Sequence, residues 1–131
     1  MKANEAVDFL SDVHPEKEFR MHCGKKVKNL REMRDEMDKM DDHIFQFHVN
    51  DVKNDFAEWV HHAIGDHDLA HEMRKTKHRQ ITRTILNGRI FHLTDMLRKE
   101  WLKKRVEKWE VLDFALGILV GVGVAILIVW F

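Results

Sequence analysis

The sequence predicts a mainly α-helical protein, with a small α+β head and a long stalk helix that continues into one C-terminal transmembrane helix. Residues 114–131 read FALGILVGVGVAILIVWF, 18 residues without a charge. As a helix they would extend about 27 Å, close to the ~30 Å apolar thickness of a bilayer. Residues 77–110 show one long helical pattern, whereas residues 17–76 show short apolar segments that begin at capping residues.

The apolar run is expected to make this a tail-anchored, single-pass protein of the cell membrane. Positive side chains stay on the cytoplasmic side of a membrane. Six of them precede the run: Arg98, Lys99, Lys103, Lys104, Arg105 and Lys108. We therefore expect a cytoplasmic head and a C-terminus at the outer face. The residues expected at the membrane interface are Trp109, Trp130, Lys103, Lys104 and Arg105.

Two sets of residues are candidates for helix–helix contacts. Gly117, Gly121 and Ala125 repeat at four-residue spacing, which lets two helices approach closely in lipid; the alternative is ordinary glycine usage in a membrane helix. An apolar stripe in the stalk forms the second set: Leu86, Ile90, Leu93 and Leu97. This stripe can pack on the head, pair with a second copy or lie on the membrane, and we prefer these in that order.

Charge is distributed unevenly along the chain. Lys and Arg number 22, as do Asp and Glu, so the net charge is zero. Residues 1–73 hold 10 basic and 17 acidic residues, and residues 74–108 hold 12 basic and 3 acidic. The basic stalk suits anionic lipid headgroups. The single cysteine, Cys23, excludes an internal disulfide.

The head is expected to contain one hairpin and a cluster of capped helices. Residues 1–16 form an N-terminal arm, which either contains one short helix that ends before His14-Pro15 or is mobile. Residues 18–28 alternate as a short β-hairpin that turns at Gly24-Lys25. The expected helix caps are Asn29, Asp41 or Asp42, Asn54 or Asp55, and Asp66, with Gly65 ending a helix. Asn87-Gly88 can split the stalk into two helices, and residues 111–131 form the transmembrane segment.

Several short motifs lie between residues 19 and 73. They are an aromatic strand, Asn29-Leu30, His48-Val49-Asn50, Lys53-Asn54-Asp55-Phe56, Trp59, Gly65-Asp66 and Leu69-Ala70. In these motifs the segment resembles a small archaeal domain of unknown function, and the resemblance covers about 55 of 131 residues. It implies a compact, mostly helical module and an archaeal source, and it transfers no catalytic residue. The stalk and the tail lie outside the resemblance.

The densest polar group in the head is a candidate binding site for a small ligand or a peptide. Its members are His48, Asn50, Lys53, Asn54, Asp55 and Trp59. Asn and Asp also bond often to nearby backbone groups. The alternative is therefore that these side chains hold the turn between two helices.

His67 and His71 are a weak candidate for a metal site, because residues at i and i+4 lie on one helical face. Exposed or capping histidines are the alternative. The segment reads His67-Asp68-Leu69-Ala70-His71, so the general-base Glu of the H-E-x-x-H motif is missing. No cofactor is expected.

The sequence favours a non-enzymatic role. Ser11 is the only serine, and there is no Gly-rich phosphate loop. We expect an interaction or scaffold module whose partners are membrane lipid and either itself or another membrane protein. One alternative is a ligand- or metal-binding regulatory domain that uses His48, Asn54, Asp55, His67 and His71. Another is a membrane-tethered RNA or ribosome binder, although nucleic acid is not expected because the membrane explains the basic charge.

Overall fold

The computed structural model describes residues 1–130, without the side chains of Glu110, Asp113 and residues 119–130. The chain divides into two compact units, Met1–Leu97 and Arg98–Phe131. The elements are α1 (Ala3–Leu10), a 3₁₀ turn (Pro15–Lys17), β1 (Phe19–Arg20), β2 (Lys26–Val27), α2 (Leu30–Lys39), α3 (Asp42–His48), α4 (Asp55–Trp59), a π-helical turn (Val60–Ile64), α5 (His67–Arg74) and α6 (Arg79–Trp130). The prediction of a mainly helical protein with a small two-stranded sheet and a long helix is confirmed.

Polar side chains begin the short helices as the sequence predicts. Asn29 accepts the backbone N–H of Glu32 at 2.8 Å, and Asp41 accepts that of Ile44 at 2.9 Å. Asn54 and Asp66 cap α4 and α5 in the same way. Each cap satisfies a backbone donor that has no partner inside its own helix.

The predicted hairpin is present, with two paired residues in each strand. Phe19 pairs with Val27 in antiparallel register, and Gly24 adopts a φ of 85° in the turn. Phe19, Met21 and Val27 are buried, so one face of the hairpin joins the core. Two paired residues per strand are stable here because that face packs on the helices.

The turn Val60–Ile64 was not predicted. The N–H of Gly65 donates to the carbonyl of Val60, five residues back, at 2.9 Å. Such i→i+5 bonds define a π-helical turn. Gly65 has a φ of 84° and ends the helix, as the sequence predicts.

The apolar stripe of α6 belongs to the core of the first unit. Leu86 and Leu93 are fully buried, Ile90 is 6% exposed and Leu97 packs partly against the same core. The stripe therefore packs on the head, and burial leaves Leu86, Ile90 and Leu93 unavailable for a helix–helix contact with a second copy. The compact unit accordingly extends to Leu97, beyond the expected end of the head at residue 76.

Asn87-Gly88 does not split the helix, which runs from Arg79. A helical glycine costs about 1 kcal/mol relative to alanine. Burial of Leu86 and Ile90 on either side offsets that cost. The predicted division of the stalk into two helices at Asn87-Gly88 is therefore wrong.

Burial also places one acidic side chain of α2 against the hairpin. Glu36 is 8% exposed and accepts Nζ of Lys25 at 2.7 Å and Nζ of Lys39 at 3.2 Å. Burial alone would raise the pKa of Glu36, but the bonds and charges of the two lysines outweigh it and hold the pKa below its usual value.

The second unit exposes large apolar side chains. The exposed side chains are Trp101, Leu102, Val106, Trp109, Val111, Leu112, Phe114, Leu116 and Ile118. Within the part of the chain that the structure describes, no helix is long and apolar enough to cross a bilayer. The predicted contact residues Gly121 and Ala125 and the interface residue Trp130 have side chains outside the described part of the chain.

Candidate functional site

The loop between α3 and α4 is held by its own side chains. Val49 and Asn54 form an isolated antiparallel bridge. Asn50 Oδ1 accepts the backbone N–H groups of Val52 at 3.0 Å and Lys53 at 3.2 Å. Asn50 is therefore used in a local turn, as the structural alternative for this segment required.

His48 joins the hairpin to α4. It is 4% exposed, and its Nε2 accepts the backbone N–H of His22 at 2.9 Å. Because Nε2 is an acceptor there, the ring proton lies on Nδ1, which donates to Asp55 Oδ2 at 3.0 Å. Lys53 Nζ lies 2.6 Å from the same carboxylate oxygen. Both ring nitrogens are engaged, so His48 is not arranged as a general base.

The side chains of Trp59 and Asn54 also connect separate parts of the chain. Trp59 is 8% exposed, and its Nε1–H donates to the carbonyl of Lys17 at 2.6 Å. Asn54 donates from its amide to the carbonyl of Met73 at 3.0 Å while it caps α4. The six residues singled out by sequence thus lie close together, but their polar atoms mostly bond within the protein.

A small exposed surface remains beside them, which we call the loop surface: His22, Phe47, Val52 and Lys53. The Phe47 ring is 46% exposed and stacks on the His22 ring at a centroid distance of 3.8 Å. Lys53 Nζ lies 4.8 Å from the Phe47 centroid, within cation–π range. Val52, 93% exposed, projects from the loop. Sequence reasoning missed His22, Phe47 and Val52. The spacing of Phe47 and Val52 does not distinguish an exposed apolar residue from a core one.

An open cleft of about 360 Å³ lies between this loop and the end of α5. Its acidic and basic side chains are paired: Asp51 with Lys77, and Glu58 with Arg74 at 2.9 Å. The hydrogen bond and the charge of Lys77 lower the pKa of Asp51. A cleft with paired charges has no strong preference for a cation or an anion, and it offers no activated nucleophile.

His67 and His71, the predicted pair, both lie on α5, and His67 contacts a third histidine, His61. Nδ1 of His67 lies 2.9 Å from Nδ1 of His61, so one ring donates and the other accepts. Partial desolvation, then the neighbouring charges of His67, His62 and Arg74, lower the pKa of His61. Among the residues that the structure describes, no group of three or more His, Cys, Asp or Glu side chains is placed to hold a metal ion.

A buried ion pair is the strongest polar feature that the sequence did not reveal. Asp66 is 1% exposed and accepts Nε of Arg89 at 2.7 Å and Nη2 at 2.9 Å, as well as the backbone N–H of Leu69 at 3.1 Å. The bidentate geometry satisfies both carboxylate oxygens. From the sequence, Asp66 was predicted as a helix cap and Arg89 as part of the basic stalk.

A sequence model for a family of unknown function, DUF5752, matches residues 12–109. The predicted resemblance to a domain of unknown function is thereby confirmed, and the match is wider than residues 19–73. It includes the basic segment, which was wrongly placed outside it. The archaeal source stays a prediction. Neither the curated proteins nor the solved structures contain a significant match.

Proposed function

Since the chain belongs to DUF5752, a family of unknown function, we propose from its own residues that it is a single-pass membrane protein whose first unit is a protein-docking module. Residues 114–131 anchor it, and the loop surface contacts the partner. The partner is a second copy or another membrane protein. No catalytic step is assigned to any residue.

The anchor is supported by the exposed apolar side chains of the second unit. Phe114 is 72% exposed, Leu116 59% and Ile118 52%. Large apolar side chains in water are unfavourable by about 25 cal/mol per Å² of exposed apolar surface. A bilayer removes that cost, and the uncharged run continues to Phe131. The basic residues before the run favour a cytoplasmic first unit.

The observation that carries the docking role is the Phe47 ring, half exposed between His22 and Lys53. Aromatic side chains at the centre of small surfaces supply much of the energy in protein interfaces. The polar atoms around it are largely satisfied within the protein, which disfavours a small polar ligand. Val52, five residues further along the chain, exposes a second apolar side chain.

The test is a pull-down of the tagged full-length protein from native membranes, solubilised in mild detergent, with an untagged copy expressed beside it. The variant Phe47→Ser/Val52→Ser should lose the partner that the wild type recovers. Phe91→Ser removes a more exposed aromatic ring from α6, 71% exposed, and should keep the partner. Recovery of the untagged copy would identify the partner as the protein itself.

Equal recovery of the partner by the wild type and the Phe47→Ser/Val52→Ser variant would refute the loop surface as the docking site. Loss of the partner in both variants would show a general effect on the fold, and would also count against the assignment. Circular dichroism of each variant distinguishes loss of the docking contact from loss of the fold. All the substituted residues are exposed, so helix content should be unchanged.

A further inference from the structure

We propose that the basic side chains of α6 nearest the anchor bind anionic lipid headgroups, so that the protein gathers these lipids around itself. This inference rests on the proposed membrane anchor. The side chains are Lys103, Lys104, Arg105 and Lys108, which we call the basic collar. The occupant is one chemical class, the phosphate-bearing headgroup of an acidic lipid.

The basic collar is exposed, and basic residues outnumber acidic ones in the segment around it. Residues 98–113 contain six basic residues and four acidic ones, Glu100, Glu107, Glu110 and Asp113. All six basic residues are exposed, whereas Glu100 is half-buried. The contact between Lys104 of the collar and Glu100 is weak: Lys104 Nζ lies 3.9 Å from Glu100 Oε1, and the Lys104 side chain is 72% exposed. Such a surface pair is too weak to compete strongly with a headgroup phosphate.

One collar residue is also positioned against an aromatic ring. The Arg105 guanidinium lies 5.1 Å from the centroid of Trp101. The ring attracts the cation and restrains the guanidinium. Its planar donors match two phosphate oxygens. Trp109, 58% exposed, lies one turn closer to the anchor, where indole rings suit the headgroup layer.

Axial distance decides which cations can reach the headgroups. At about 1.5 Å per residue, Lys108 lies about 9 Å and Arg105 about 14 Å from Phe114 along the helix. The headgroup layer is roughly 5–8 Å thick, and the Debye length adds about 8 Å at physiological salt. Arg98 and Lys99, at about 24 and 23 Å, lie beyond that reach. A positive charge at Lys108 or Arg105 should therefore affect lipid association much more than a positive charge at Arg98 or Lys99.

This contrast gives a charge-matched pair of variants. Arg105→Gln/Lys108→Gln removes two near charges, and Arg98→Gln/Lys99→Gln removes two far ones. Full-length protein is reconstituted, after nuclease treatment, in phosphatidylcholine vesicles that contain phosphatidylglycerol. Electron paramagnetic resonance of spin-labelled lipids then measures the relative association of phosphatidylglycerol and phosphatidylcholine with the protein.

We expect the wild type and the far variant to prefer phosphatidylglycerol severalfold, and the near variant to lose most of that preference. A single cation near the surface contributes up to about fivefold. High salt should abolish the preference, because screening shortens the Debye length. These outcomes together support the basic collar as a headgroup site.

Three outcomes would overturn the inference. One is equal association of the two lipids with a protein that floats with the vesicles, which leaves the anchor intact. Another is an equal loss in both variants, which would show a net-charge effect without a site. The third is nucleic acid that co-purifies with the untreated wild type and is lost from the near variant, without lipid preference. A protein that does not float with the vesicles would contradict a different claim, that of the membrane anchor.

Discussion

Removal of Arg89 should destabilise the first unit far more than removal of an exposed arginine. Arg89→Met leaves the Asp66 carboxylate, 1% exposed, without its cation. Loss of one partner of a buried ion pair costs about 3–5 kcal/mol, against a total stability of about 5–15 kcal/mol for a domain. For a unit of this size the melting temperature should fall by at least about 12 °C.

The assay is urea and thermal unfolding of full-length protein in detergent, followed by far-ultraviolet circular dichroism. Arg74→Met is the matched control, because Arg74 pairs with Glu58 at the surface and the two side chains are 38% and 51% exposed. That pair should be worth at most about 1 kcal/mol. Asp66→Asn/Arg89→Met should recover part of the loss, since Asn keeps the cap on α5 and carries no charge.

An Arg89→Met loss no larger than that of Arg74→Met would refute the importance of the buried pair. A double variant as unstable as the single one would show that Arg89 contributes by packing and not by charge.

Three further predictions concern single positions. Gly65→Ala should cost about 1–2 kcal/mol by urea unfolding, because its φ of 84° is strained for other residues, whereas Gly88→Ala, in open space on α6, should gain about 0.5–1 kcal/mol. Since the pKa of Glu36 is lowered in the folded state, its stabilising effect is full above the unfolded pKa and is lost as the pH falls through the folded pKa; Glu36→Gln should be less stable at neutral pH and lose that difference in acid. Gly121→Leu should weaken any self-association measured by cross-linking in detergent, and unchanged cross-linking would contradict the small-residue contact.

The sequence predicted local features well because their partners are close along the chain. Asn29, Asn54 and Asp66 each cap a helix by bonding three residues onward, and Gly65 ends one through its own backbone freedom. Long-range contacts were not predictable in this way. His48 meets the backbone of His22 across 26 residues, and Asp66 meets Arg89 across 23.

The candidate site shows the same limit. Polarity singled out His48, Asn54 and Asp55, but a polar side chain has the same appearance in sequence whether it binds a ligand or a backbone group. Phe47 escaped notice because its exposure depends on how α3 packs. Asn87-Gly88 misled for the opposite reason: its weak helix propensity is overcome by tertiary burial of its neighbours.

The most direct test of the membrane anchor is fractionation of cells that express the full-length protein. After lysis without detergent and ultracentrifugation, the protein should be in the membrane pellet, resist alkaline carbonate extraction, and enter the supernatant only with detergent. Full-length protein in the supernatant without detergent would contradict the anchor and the lipid site that rests on it.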